Sequence, residues 1–212
     1  MLKVVGLAAG AAIAAIVLIG LVSVRKPSPS AVVRIDVETE IGGGHGSGVH
    51  LGRGIILTAY HVIAEGKAIS VVTEAGHRVD AKVLWTSPEY DVAMIEAVSQ
   101  PSTLGKASLS CRVNQIGDAV EGVGNPGPLK FVHVWGRVAG LPVKGLRAAV
   151  TQTVDITVAP GMSGGPIFNS SGQVVGLFDA MLISPQSPFS AFSFPITFMV
   201  PSSTICRITG RA

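Results

Sequence analysis

Ala159-Pro160-Gly161-Met162-Ser163-Gly164-Gly165-Pro166-Ile167-Phe168 is the stretch on which the reading of this chain turns. A serine stands among glycines and prolines, with strand-like residues on both sides. Gly161 takes backbone angles closed to other residues, and Pro160 and Pro166 stiffen the ends. Such a turn presents a hydroxyl while aiming backbone N–H groups at the same point. Acyl transfer needs both an exposed nucleophile and fixed donors for the developing oxyanion. The same residues also suit a glycine-rich hairpin with an incidental serine. Taken alone, the stretch leaves the two readings level. The decision rests on whether the chain also supplies a base and an acid to orient it.

Working outward, Ile55-Ile56-Leu57-Thr58-Ala59-Tyr60-His61-Val62-Ile63 sets a histidine just past an apolar strand. Glu89-Tyr90-Asp91-Val92-Ala93-Met94-Ile95 sets an aspartate at the mouth of another. Singly, these read as a surface histidine and a turn acceptor. Together, in the order His61, Asp91, Ser163, they resemble the chymotrypsin-fold serine peptidases, and within them the HtrA/Deg-like branch. Thr58-Ala59-Tyr60-His61-Val62, Asp91-Val92-Ala93 and Gly161-Met162-Ser163-Gly164-Gly165-Pro166 carry that resemblance. Gly46-Ser47-Gly48-Val49, Gly117-Asp118-Ala119-Val120 running to Gly124-Asn125-Pro126-Gly127, and Thr153-Val154-Asp155 strengthen it. Phe192-Ser193-Phe194-Pro195-Ile196 looks like the segment that closes the family's protease domain. The likeness runs from about Val32 to Met199.

The resemblance implies an all-β fold of two six-stranded antiparallel β-barrels with the site in the cleft between them. It also implies roles. Ser163 is the nucleophile, His61 takes and returns its proton, and Asp91 fixes the imidazole, as in the general Ser-His-Asp scheme. Gly161 and Ser163 donate backbone N–H groups to the oxyanion. Met162 stands where trypsin-like zymogens carry an aspartate that pairs with a freed amino terminus, so that activation route is not expected. Thr157 and Val158 are expected in the floor of the primary pocket, with Ala180 and Met181 in its wall. A neutral floor and an apolar wall suit Val, Ala or Ile. Asp155 matches an aspartate that the branch also carries, so it does not signal a trypsin-like pocket. Ala180 and its neighbours are expected to pair with extended substrate backbone by strand addition. One residue departs from the pattern. Asp179, 16 residues after Ser163, stands where the family places a small hydroxyl residue against the triad aspartate. Either it presses on Asp91, so that the two carboxyls share a proton and activity falls on the acid side, or the strand is shifted and it faces solvent.

The residues themselves support the same architecture. Ala31 to Glu38 alternates apolar and polar, the period of a half-buried strand. Strand-like runs recur at Val49–Leu51, Gly54–Thr58, Ala68–Thr73, Val79–Trp85 and Asp91–Ala97. A polar connector follows from Gln100 to Cys111. A second set covers Ala119–Gly124, Phe131–Val138, Ala148–Val154, Gln173–Phe178 and Phe192–Met199. Many short strands without helical periodicity predict a sandwich or barrels. The two sets predict barrel one over about 32–100 and barrel two over about 112–200, within a protease domain of 32–212. Ser202 to Ile208 reads as a short helix, and Ile41 to Gly48 as a glycine loop.

Val4 to Val24 is a different kind of segment: 21 residues without a charge. About 20 apolar residues span a bilayer as a helix, and the core of a cleaved signal is shorter. A retained anchor over residues 1–26 is therefore favoured, followed by a linker at 27–31. Small residues at Ser28-Pro29-Ser30 keep cleavage open. Lys3 on one side and Arg25 and Lys26 on the other leave the orientation near a tie. The domain is placed outside the cytoplasm. Gly6 and Gly10 form a G-x-x-x-G that lipid-facing packing explains as well as helix pairing does. A homo-oligomer is allowed but not indicated.

The basic residues exclude a partner class. Of 16 Lys and Arg, three flank the apolar run, leaving 13 against 13 acidic residues. A domain without net charge or a basic block has no nucleic-acid footprint. Cys111 and Cys206 form no C-x-x-C or Cys/His cluster, so no metal or other cofactor is implied. Outside the cytoplasm the two cysteines have the chance to pair, but sequence separation says nothing of distance. His45, His50, His77 and His133 have no metal-ligand spacing and read as surface residues. No PDZ domain is expected after Met199. The reading is a membrane-anchored serine endopeptidase acting on unfolded or extended polypeptide. Two alternatives stand beside it: a catalytically silent scaffold on the same barrels, and a viral-type protease that processes itself or one partner.

Overall fold

The computed structural model describes residues 31–99, 104–145, 147–182 and 196–211. The apolar run 4–24, residues 27–30 of the linker and all but Ile196 of the expected closing segment lie outside them. Among the described residues, no helix is long and apolar enough to cross a membrane.

Alternation builds the first strand: Val33, Ile35 and Val37 of β1 (Val32–Thr39) point into one core. β1 pairs with β2 (Gly42–Gly52) without interruption, from Val32 opposite Val49 to Thr39 opposite Gly42. With β3 (Ile55–Thr58), β4 (Ala68–Thr73), β5 (Arg78–Ser87) and β6 (Val92–Ala97) they close a six-stranded barrel in the order β1-β2-β3-β6-β5-β4. The expected glycine loop is thus a strand. Close approach explains its composition: a Cβ on Gly46 would strike the Val62 side chain. Backbone pairing with β1 holds the segment extended in spite of its weak strand propensity.

The second six-stranded sheet comprises β7 (Ala119–Gly124), β8 (Val132–Arg137), β9 (Gln152–Val154), β10 (Pro166–Asn169), β11 (Val174–Leu182) and β12 (Ile196–Pro201). Its order is β8-β7-β10-β11-β12-β9. An isolated bridge between Val138 and Val154, and an Asp155 N–H donated to Arg137 O (2.8 Å), bring its two edges together. Two strands depart from the sequence reading. β9 is shorter than the Ala148–Val154 run, and β10, directly after the serine turn, adds a strand to the runs read from the sequence.

Three cores follow from this layout. One fills the first barrel and one the second. The third joins them, with Val32, Val49 and Leu57 packed in one cluster with Phe168, Leu177 and Ile205. The predicted helix is α2 (Ser202–Ile208). It reaches the first barrel through the Arg207 guanidinium, 5.7 Å from the centre of the Tyr90 ring. Cys111 and Cys206 form a disulfide with a Cα separation of 5.7 Å, which ties the connector to α2. Such a closure limits the unfolded chain and is typical of oxidising compartments.

Candidate active site

The turn Pro88–Tyr90 ends at Asp91, which takes the left-handed conformation (φ 50°, ψ 45°) and donates its N–H to Pro88 O. Asp tolerates that region better than most residues. The bend turns its carboxylate inward, where Asp91 is 2% exposed. Facing it is the one-turn helix α1 (Tyr60–Ile63) after β3. The His61 N–H donates to Asp91 Oδ1 (2.8 Å), and His61 Nδ1 lies 2.6 Å from Oδ2. This double contact leaves Nε2 as the free ring nitrogen, on the side of a hollow that His61 lines together with Ser163. Ser163 Oγ makes no hydrogen bond to His61. Catalytic contacts of this kind are often loose before substrate binds.

The serine turn joins the two barrels. Gly161 has φ 100°, and a Cβ there would collide with Asn125 O and the His45 ring. Among the described residues, neither the Gly161 N–H nor the Ser163 N–H donates to a backbone carbonyl. Two unspent donors beside a serine hydroxyl are what a developing oxyanion requires. Met162 is buried in the core of the second barrel, where it makes no ion pair.

Ser47 on β2, part of the Gly46-Ser47-Gly48-Val49 motif, holds this turn in place. It has no exposed surface. Its N–H donates to Ser163 O (2.9 Å), and its hydroxyl donates to Gly161 O (2.8 Å). The same oxygen accepts the N–H and the Nδ2–H of Asn125, each at 2.9 Å. Thr58 Oγ1 donates to Ser47 O (2.7 Å), and His45 Nε2 lies 3.0 Å from Asn125 O. Fixing the Gly161 carbonyl also fixes the peptide plane on which the neighbouring N–H groups depend. The usable signal in the sequence is a hydroxyl residue between glycines, together with a distant Asn-Pro-Gly.

A cavity of about 240 Å³ opens beside Ser163. Val158, Ala180 and Met181 line it, together with Ala159, Met162 and Phe178. Thr157 does not line it: its side chain is exposed, and the wall begins one residue later. Arg147 and Asp179 border the same cavity. Arg147 also borders the hollow that holds His61, Gly161 and His45.

Asp179, on β11, does not face solvent. Its side chain has no exposed surface, and neither carboxylate oxygen has a hydrogen-bond partner. Ligand atoms of His61, Asp91 and Asp179 all lie within 4.8 Å of one another. Burial, then the charge of the neighbouring Asp91, raise the Asp179 carboxyl to about 7, against smaller opposing pulls from Arg147 and the Ala148 backbone. The remaining histidines divide. His50 is a correction: it has no exposed surface, and its ring meets Gly105 O at 2.5 Å and accepts the Gly54 N–H. His133 pairs with Glu121 (2.6 Å) on β7 and stacks on Trp135.

Residues 46–177 match the family of trypsin-like peptidase domains. Among curated proteins, HhoA of Synechocystis is 35% identical over 164 residues, covering 72% of this chain and 40% of its own. The periplasmic pH-dependent serine endoprotease DegQ of Escherichia coli is 30% identical over 166 residues, covering 76% and 35%. The chain therefore spans less than half the length of these relatives. Among solved structures, the HtrA-type protease AlgW with a tripeptide superposes with a TM-score of 0.75 at 23% identity, over 87% of this chain and 60% of that one. The serine endoprotease from Yersinia pestis gives 0.72 at 24%, over 87% and 63%. At these identities the structures speak for the double-barrel fold.

Proposed function

Because the chain belongs to the trypsin-like peptidase family, on its HtrA-like branch, we propose that it is a serine endopeptidase that cuts extended polypeptide through an acyl-enzyme. The observation that carries this is the double contact of His61 with Asp91, with Ser163 on the wall of the same hollow. Ser163 Oγ attacks the scissile carbonyl carbon, and its proton passes to His61 Nε2. Asp91 holds the Nδ1–H and stabilises the imidazolium. The oxyanion takes the N–H groups of Gly161 and Ser163. As the C–N bond breaks, His61 returns the proton to the leaving amine, and water then releases the acyl group by the reverse sequence. Substrate binding brings Ser163 and His61 into contact.

The apolar cavity walled by Val158, Ala180 and Met181 accepts a small or medium aliphatic side chain, such as Val, Ala or Ile, ahead of the cut. β11 is paired with β10 only as far as Leu177, so its end at residues 180–182 offers backbone on that side for strand addition. A site outside the cytoplasm fits the disulfide and the periplasmic relatives. A membrane anchor over 4–24 stays part of the proposal, on the sequence alone.

A fluorophosphonate probe tests the reading. Wild type is expected to label and Ser163→Ala not to. A folded wild type that stays unlabelled from pH 6 to 9 leaves the barrels as a scaffold. Incubation with a denatured protein then separates general turnover from cleavage of the chain itself.

A further inference from the structure

A buried carboxyl group without a partner calls for an explanation, because an unpaired charge in the interior is costly. The groups that face Asp179 are few. α1 brings His61, the turn before β6 brings Asp91, and the segment before β9 brings Arg147. The neighbouring β12 brings Thr197, whose hydroxyl is spent on Ile156 O at 2.5 Å. Arg147 Nε is 4.0 Å from Asp179 Oδ1 and its side chain is 51% exposed, so it is a weak counterion for a second buried charge. Asp91 already accepts two hydrogen bonds from His61. Two negative charges at this separation, away from water, would repel strongly. A proton on Asp179 removes the repulsion and supplies the only donor that this carboxyl group can offer.

Resting on the triad reading above, we propose that Asp179 is a positioning residue that works as a neutral carboxylic acid, donating its O–H to Asp91 and so steadying the carboxylate that orients His61. It fills the place where the family resemblance calls for a hydroxyl. A hydroxyl does this at every working pH, whereas a carboxylic acid loses its proton in base. Its ionisation near 7 places that loss inside the working range. Above it, Asp179 becomes a second anion behind Asp91, and the hold on His61 loosens. Activity then falls on the alkaline side, the reverse of the acid-side loss first expected from the sequence, and the rate profile becomes a bell.

The test compares the rate of Ser163 labelling by a fluorophosphonate in wild type, Asp179→Asn and Asp179→Ala, from pH 5 to pH 10. Wild type is expected to slow by on the order of tenfold between pH 7 and pH 9. Asp179→Asn still has a donor for Asp91 and cannot ionise, so its rate holds over that interval. Asp179→Ala has no donor and is slower than Asp179→Asn throughout. An alkaline loss that persists in Asp179→Asn overturns the proposal, as does equal slowing in the two variants. A second readout does not need turnover. Carbon-13 spectra of aspartate-labelled full-length protein are expected to show one carboxyl titrating near neutrality, absent from Asp179→Asn. If every carboxyl titrates below pH 5, the proposal fails even in an active enzyme. If wild type never labels but the neutral-range carboxyl is present, the triad reading fails and the proton on Asp179 stands.

Discussion

Two buried polar clusters flank the serine turn, and they are built in opposite ways. On one side, Ser47 and Asn125 spend their polar groups. The Ser47 hydroxyl gives one hydrogen bond and takes two, and Asn125 Oδ1 accepts the Phe131 N–H while Nδ2 reaches Val33 O. On the other side, Asp91 is satisfied by His61 while Asp179 behind it has no partner. A fully paired network in a low-dielectric interior makes one geometry rigid. A partly paired one holds its geometry only in one protonation state. The oxyanion side is therefore expected to be insensitive to pH, and the base side to depend on it.

The largest effect comes from breaking the satisfied side. Ser47→Ala removes the donor to Gly161 O and strands both Asn125 N–H groups. Each buried orphan costs about 1–3 kcal/mol. Loss of one oxyanion donor costs roughly 100-fold or more in kcat, and a donor set free to turn is expected to lose about 10- to 100-fold. Steady-state kinetics on a denatured protein or a Val-containing peptide ester should show the loss in kcat, with KM little changed. Melting would fall in parallel. A variant that melts lower yet keeps its kcat assigns Ser47 to stability alone.

The next effect sharpens the other half of the contrast, and its sign follows from linkage. Asp179 has its folded ionisation raised from 3.8 to about 7, so the folded state holds a proton that the unfolded chain has released over that interval. Stability is then highest below about pH 4 and declines as pH rises to about 7, where the loss is complete. Asp179→Asn removes this dependence. The variant is expected to be more stable than wild type by on the order of 4 kcal/mol at pH 8, from a displacement of roughly three pH units at about 1.4 kcal/mol each. Relative to that gain, the advantage shrinks toward acid. Thermal melts at pH 4.5 and pH 8 check it. A gap that is the same at both values shows that folding does not change the protonation of Asp179 between them.

Which of these features the sequence announces depends on how local their cause is. Ser163, His61 and Asp91 sit in short motifs whose order along the chain points to their meeting. The expectation of two strand groups also rests on local alternation, and six of the strands lie in each half. Ser47 and His50 were not legible because their environment is made by pairing. β2 is buried on both faces from Gly46 to His50, against its own barrel and the inter-barrel core, so the apolar-polar alternation that marks a one-sided strand vanishes. The glycines that allow the close packing made the segment look like a loop. Thr157 was displaced by a single residue, since the position of the cavity wall depends on the path of the chain between β9 and the serine turn. For Asp179, counting from Ser163 gave the position, but only the register of β11 against β12, with its shift between Phe178 and Ala180, settles which way the side chain points.

The smallest predicted effect is the finest probe of the contrast, because it leaves both clusters intact. Arg147 lies at 4.0 Å from Asp179 Oδ1, half exposed, and it favours the ionised form. Arg147→Gln withdraws that support without removing a donor from Asp91 or a wall from the serine turn. Asp179 then keeps its proton to higher pH, and the alkaline loss of labelling moves upward by a few tenths of a pH unit. The shift is small because solvent screens a charge so exposed. Salt should mimic the direction in wild type, since it weakens the same attraction. In Asp179→Asn, the Arg147→Gln change should move nothing on the alkaline side. A double-mutant comparison of the four labelling profiles measures that coupling directly. If Arg147→Gln shifts the profile equally with and without Asp179, Arg147 acts on substrate or probe in the cleft, and the proton on Asp179 is set by burial and Asp91 alone.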